Sequence, residues 1–222
     1  MIQQATDVSQ SKAPLILGAS GVIAFALVAG LVAGYFVKES PLKPDAKLQI
    51  ALEAFRSGND ATALSLLTPL ANEGNAKAQY WLADIYEDDD QGVKSDVAKA
   101  HALLEKSAAQ GFVPAERHLG QLYLRGTATL QDFGKAQSWL HKAATAGDYR
   151  AQEQLGHIYA LGLGVPQDKG QAYGWYENAA LHGDGLAERM RDNLLKLMSP
   201  TEIGKGEQTA KEIAANIKPA KS

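Results

Sequence analysis

The stretch Ala151-Gln-Glu-Gln-Leu-Gly-His-Ile-Tyr159, followed by Gly162-Leu-Gly-Val165, Asp168, Ala172, Trp175, Ala179-Ala180 and Gly183, decides the fold, because its pattern occurs twice earlier in the chain. Tyr86, Tyr123 and Tyr159 correspond, as do Asp96, Asp132 and Asp168, then Ala100, Ala136 and Ala172, and finally Gly111, Gly147 and Gly183. The tyrosines step by 37 and then 36 residues and the other sets by 36, one extra residue in the first loop, Glu87-Asp-Asp-Asp-Gln91, making the difference. A fixed period of this length signals stacked repeats: one short helical pair cannot bury its apolar face alone and must pack on a neighbour.

Within a unit the first half reads Ala-x-x-x-Leu-Gly/Ala-x-x-Tyr, at Ala78/Leu82/Ala83/Tyr86, Ala115/Leu119/Gly120/Tyr123 and Ala151/Leu155/Gly156/Tyr159. That i, i+4, i+8 spacing is one face of a helix. A glycine inside a helix costs about 1 kcal/mol against alanine, so Gly120 and Gly156 are expected where a second helix backbone comes too close for a side chain. The second half opens with an aspartate suited to capping and continues with Ala100/Leu103/Ser107, Ala136/Trp139/Ala143 and Ala172/Trp175/Ala179 on one face. Gly111, Gly147 and Gly183 fall where a left-handed C-terminal cap is wanted.

Two antiparallel helices per unit, with Leu-Gly-x-x-Tyr in the first, a Gly-x-Gly-Val-x-x-Asp loop, and Lys-Ala-x-x-Trp…Ala-Ala…Gly in the second, resemble the Sel1-like repeat family, relatives of tetratricopeptide repeats. The resemblance covers roughly 76–197, and the middle unit departs from it in Gly126-Thr-Ala-Thr-Leu130, which lacks the second glycine and the valine. It implies an all-α, right-handed α-solenoid that acts as an adaptor for protein complexes, often membrane-associated, without catalysis of its own.

The chain has 222 residues, 45% of them hydrophobic, and a formal net charge of −3. That balance gives no electrostatic footprint for nucleic acid. With no cysteine, disulfides, thiolate metal sites and cysteine nucleophiles are excluded. Residues 1–12 form a short polar tail, and nothing ionisable occurs between Lys12 and Lys38. The uncharged run 13–37 exceeds the ~20 residues a helix needs to cross the hydrocarbon core, with Tyr35 and Phe36 suited to the interface. A single lysine ahead of it and no Ala-x-Ala site behind it favour an uncleaved anchor over a signal peptide. Ala26, Gly30 and Gly34 lie on one stripe and include a GxxxG motif, which suits helix pairing and a homodimer through the span; the alternative is the ordinary abundance of small residues in such helices. Lys38, Lys43 and Lys47 against Lys12 favour a cytoplasmic repeat domain. The combination of amino-terminal anchor and repeat domain instead resembles a single-pass bacterial inner-membrane protein facing the periplasm, and this is the expectation adopted.

A proline-containing linker, 38–46, leads to a repeat domain over 47–198: a divergent leading pair at 47–74, units at about 76–111, 112–147 and 148–183, and a last helix at 186–198. Ser199-Pro-Thr-Glu202 is a helix start, opening a capping helix and tail over 199–222, with a solvated tail as the alternative.

No catalytic constellation stands out, and no cofactor is expected. The histidines at 101, 118, 141, 157 and 182 show no two-ligand helical spacing. Glu87-Asp-Asp-Asp90 lacks the alternation and closing glutamate of a calcium loop. Gly162-Leu-Gly-Val-Pro-Gln-Asp168 has no following Gly-Lys-Ser/Thr, and the repeat explains its glycines. What varies between units is a pair of positions one turn apart on each first helix: Tyr80/Asp84, Arg117/Gln121, Glu153/His157 and Arg189/Asn193. If first helices line the concave side, these form a ladder suited to an extended peptide or a helix of a protein partner. Tyr80, Trp81, Trp139 and Trp175 raise a second function class, an accessory domain that binds cell-wall glycan or modulates an envelope enzyme, although the last two occupy a framework position.

Overall fold

The computed structural model describes residues 43–87, 93–127 and 130–218. The expected span 13–37, with Ala26, Gly30 and Gly34, lies outside the described residues. Among the described residues no helix is long and apolar enough to cross a membrane.

Ten helices and no strand are present among the described residues: α1 Pro44–Arg56, α2 Asp60–Asn72, α3 Ala76–Glu87, α4 Val97–Ala109, α5 Val113–Arg125, α6 Phe133–Thr145, α7 Tyr149–Leu161, α8 Lys169–Leu181, α9 Gly185–Leu195 and α10 Pro200–Asn216. From α1 to α9, each helix packs on its neighbours in the chain.

The repeated residues build the same joints in each unit. Asp96, Asp132 and Asp168 accept from the backbone N–H groups of Lys99, Lys135 and Gln171, each three residues on, at 2.9 to 3.0 Å. The N–H of the same aspartate donates to the carbonyl of Tyr86, Tyr123 or Tyr159, at 2.9, 2.9 and 3.0 Å, so one residue closes the loop and starts the second helix. Gly111, Gly147 and Gly183 have φ of 79°, 95° and 88°, a region closed to most L side chains. The framework leucines Leu82, Leu119 and Leu155 are 2, 0 and 0% exposed, and each burial is worth about 1.5–3 kcal/mol.

Gly120 and Gly156 do mark close approaches, but chiefly to side chains rather than to a helix backbone. A Cβ on Gly120 would stand 2.6 Å from Leu140 Cγ, and one on Gly156 would stand 2.5 Å from the Tyr176 ring. In the first unit the equivalent positions hold Ala83 and Leu104, both fully buried in one cluster.

The stack ends at α9, whose residues Gly185, Arg189 and Asn193 are exposed and offer no apolar face for a further unit. Helix α10 does not pair with α9. Instead it folds back along α8, where Gly170 and Gly174 leave room for the backbone around Gly206 and Ala210. Asn178 Nδ2, buried between them, donates to the Ala210 carbonyl at 3.0 Å. Covered by α7 on one side and α10 on the other, α8 is buried on most of its circumference, including Tyr173, Trp175, Tyr176 and Asn178. Ser199 and Glu202 form a reciprocal capping box at the start of α10. Beyond its end, Lys218 N–H donates to the Thr145 carbonyl at 2.8 Å, tying the tail to α6.

Candidate protein-interaction surface

The four positions Tyr80, Arg117, Glu153 and Arg189 are equivalent, and the first three each face the capping residue of the following first helix. Those caps are Phe112, Asp148 and Asp184. At the first seam the contact is aromatic, with Tyr80 and Phe112 ring centroids 5.4 Å apart. At the second it is an ion pair: Arg117 Nε donates to Asp148 Oδ2 at 3.0 Å, both side chains being under a fifth exposed. At the third, Glu153 meets the like charge of Asp184; burial first, and that charge second, push its carboxyl above the ordinary range. Arg189, on α9, is exposed.

The second rung positions are placed one turn along. Asp84 is half-buried, and its charge, after burial itself, raises the Tyr80 hydroxyl pKa, with Glu87 adding and Arg117 opposing. Gln121 and His157 are half-buried, and Asn193 is exposed and accepts from Lys196 Nζ at 3.0 Å. The ladder therefore mixes groups committed to neighbouring units, Tyr80 and Arg117, with groups exposed to water, Arg189 and Asn193. Arg117, expected from sequence as a partner-binding residue, pairs across the seam between units.

Sequence reasoning missed how far the aromatic contacts run. Phe55 meets Trp81 at 5.0 Å, Trp81 meets Tyr80 at 5.1 Å, and Tyr80 meets both Phe112 and His118, at 5.4 and 6.1 Å. His118 Nε2 stands 3.1 Å from Glu87 Oε2, closing the band with an ion pair when the imidazole is protonated. All these rings are partly buried, contributed by α1, α3 and the start and middle of α5. The adjacent pair Tyr80-Trp81 was the available signal; Phe55 and Phe112 join it only through packing between units.

The tryptophans raised as glycan platforms are differently placed. Trp175 is 4% exposed, and Lys142 Nζ covers the Trp139 ring at 3.9 Å. A separate open cleft of about 910 Å³ lies between the start of α8 and α10, but its charged rim is already paired, Lys169 with Glu202 at 3.6 Å and with the Leu197 carbonyl at 2.7 Å. Among the described residues no three His, Cys, Asp or Glu side chains are grouped to hold a metal ion.

Three consecutive segments, 76–112, 113–148 and 150–184, match the Sel1 repeat family model. A Sel1 repeat protein from Oxalobacter formigenes is similar at 28% identity and a TM-score of 0.66, over 80% of this chain and 74% of that one. A protective antigen with an SLR fold from uropathogenic Escherichia coli is similar at 24% identity and a TM-score of 0.55, over 79% of this chain. This chain spans 46% of the length of that antigen. A putative Sel1 repeat protein from Klebsiella pneumoniae shares the fold at 23% identity and a TM-score of 0.51, over 78% of this chain and 86% of that one. No curated protein sequence matches the chain. Sel1 repeats generally mediate protein–protein interactions. Over these segments the chain is similar to Sel1 repeats, and it shares their helical-repeat fold.

Proposed function

We propose that the chain is a membrane-anchored, non-enzymatic adaptor that holds a protein partner of a bacterial envelope complex on the first-helix side of its repeats. The observation that carries this reading is the continuous, partly buried aromatic band from Phe55 through Trp81 and Tyr80 to Phe112, bordered by the His118–Glu87 pair. Tyr and Trp supply large contact area at small entropic cost, and they dominate the centres of protein interfaces. The uncharged run 13–37 supports an anchor in the inner membrane, and the order of anchor and repeats supports a periplasmic array. The Gly30/Gly34 motif supports pairing of two such anchors.

Deleting 13–37 releases both the chain and its partner from the membrane fraction; a partner whose position is unchanged refutes the tether. A single cysteine at Ser222 of the otherwise cysteine-free chain reports the side. Labelling by a maleimide that cannot cross the inner membrane supports a periplasmic array, and protection until lysis places it in the cytoplasm. Tyr80 and Trp81 also favour a glycan ligand; direct retention of the full chain on cell-wall glycan, with no protein partner recovered, selects that reading.

A further inference from the structure

The third seam repeats the second with its cation missing. At the second, Asp148 divides its two oxygens: Oδ1 accepts from Ala151 N–H at 2.9 Å to start α7, and Oδ2 accepts from Arg117 at 3.0 Å. At the third, Asp184 does the first half of this, its Oδ1 accepting from Leu186 and Ala187 N–H groups at 2.9 and 3.1 Å. Its Oδ2 receives no hydrogen bond among the described residues, because the position of Arg117 is taken by Glu153. Two carboxylates thus face the space that a guanidinium fills one unit earlier.

A third oxygen lies within the field of Glu153. Where the second unit has Leu140, the third has Tyr176, whose ring lies across Gly156, three residues along α7 from Glu153. Tyr176 is 2% exposed, its hydroxyl makes no hydrogen bond among the described residues, and burial together with the Glu153 charge raises its pKa. An unpaired hydroxyl within the field of the Glu153 carboxylate suits a multivalent donor, and arginine carries five N–H donors in a planar fork. Arg189, on α9, makes no ion pair with Asp184; its Nη1 lies 3.8 Å from where a Cβ on Gly185 would be.

We infer that the seam between α7 and α9 is a socket for an arginine side chain of a protein partner, its guanidinium engaging Asp184 Oδ2 and the Glu153 carboxylate as Arg117 engages Asp148 one unit earlier. The inference rests on the adaptor reading only for the source of that arginine; the socket itself is a property of this chain.

The test uses the full chain in detergent micelles, labelled at alanine methyl groups and titrated with argininamide while the Ala187 signal is followed by NMR. The socket predicts a saturable shift with argininamide, none with norleucinamide, and roughly tenfold weaker binding in Glu153→Gln, where one of two charge-assisted partners is lost. Glu153→Arg, which rebuilds the second seam in the third, abolishes the shift and raises the melting temperature. Arg189→Ala guards against occupation by the chain itself: a shift that appears only in that variant overturns the inference, as does its absence from both wild type and variant, or an equal response to norleucinamide. Failure of the membrane-release experiment with this titration intact would remove the tether and leave the socket.

Discussion

Glu116 offers the sharpest test of how the repeat register governs stability. Its equivalents Gln79 and Gln152 are buried, and each donates from Nε2 to the carbonyl eight residues back, Ala71 and Ala144, at 3.0 and 3.1 Å. In the middle unit the donor is replaced by a carboxylate, 7% exposed, and the carbonyl at the matching position belongs to Ala108. Burial raises the Glu116 pKa, against the weaker opposing pull of Lys142 and Lys218. Ionised, the side chain has no proton to offer. Glu116→Gln restores the donor and removes the buried charge, at the cost of the attraction to the two lysines. One net hydrogen bond is worth about 1 kcal/mol, which in a folded domain of this size raises the melting temperature by about 3 °C. A carboxyl whose folded pKa lies above its unfolded value stabilises the fold in acid and loses that contribution as pH rises through the folded pKa. The advantage of the glutamine variant is therefore small near pH 4 and fully developed at pH 7. Circular dichroism melts of both proteins at the two pH values measure it; an equal gap at both, or a less stable variant at pH 7, would refute the reasoning.

Gly156→Ala drives a Cβ into the Tyr176 ring and costs roughly 2 kcal/mol, whereas Gly156→Ala with Tyr176→Leu recreates the Ala83/Leu104 pairing of the first unit and recovers most of the loss; a double-mutant cycle from denaturation midpoints reads the coupling. Arg117→Ala leaves Asp148 Oδ2 without its donor in a site less than a fifth exposed, and chemical denaturation should show a loss of about 1–2 kcal/mol. Gly174→Leu pushes against Ile213, Thr209 and the Ala210 backbone, so hydrogen exchange over 200–216 accelerates while α3 to α6 keep their protection.

The helical pairs were legible because their joints are local. Asp96, Asp132 and Asp168 cap amides three residues away, and the glycines at 111, 147 and 183 satisfy a backbone angle at their own position. The seam contacts were not legible in the same way. Arg117 reaches Asp148 across 31 residues, and nothing in the local pattern distinguishes a ladder residue that faces water from one that fastens the next unit. A cap over the last unit was expected, but that α10 would run along α8 was hidden for a related reason. Gly170, Gly174 and Gly206 weaken their own helices by local propensity, and only the packed structure shows that they create the close approach between α8 and α10.

Photo-crosslinking in cells tests most directly the claim that the first-helix side holds the partner. Benzoylphenylalanine at Tyr80 or at the half-exposed Gln121 should give the same discrete adduct, and at the exposed Ala102 or Lys106 of α4 it should give none. Adducts confined to α4, or equally strong at all four positions, would contradict the account.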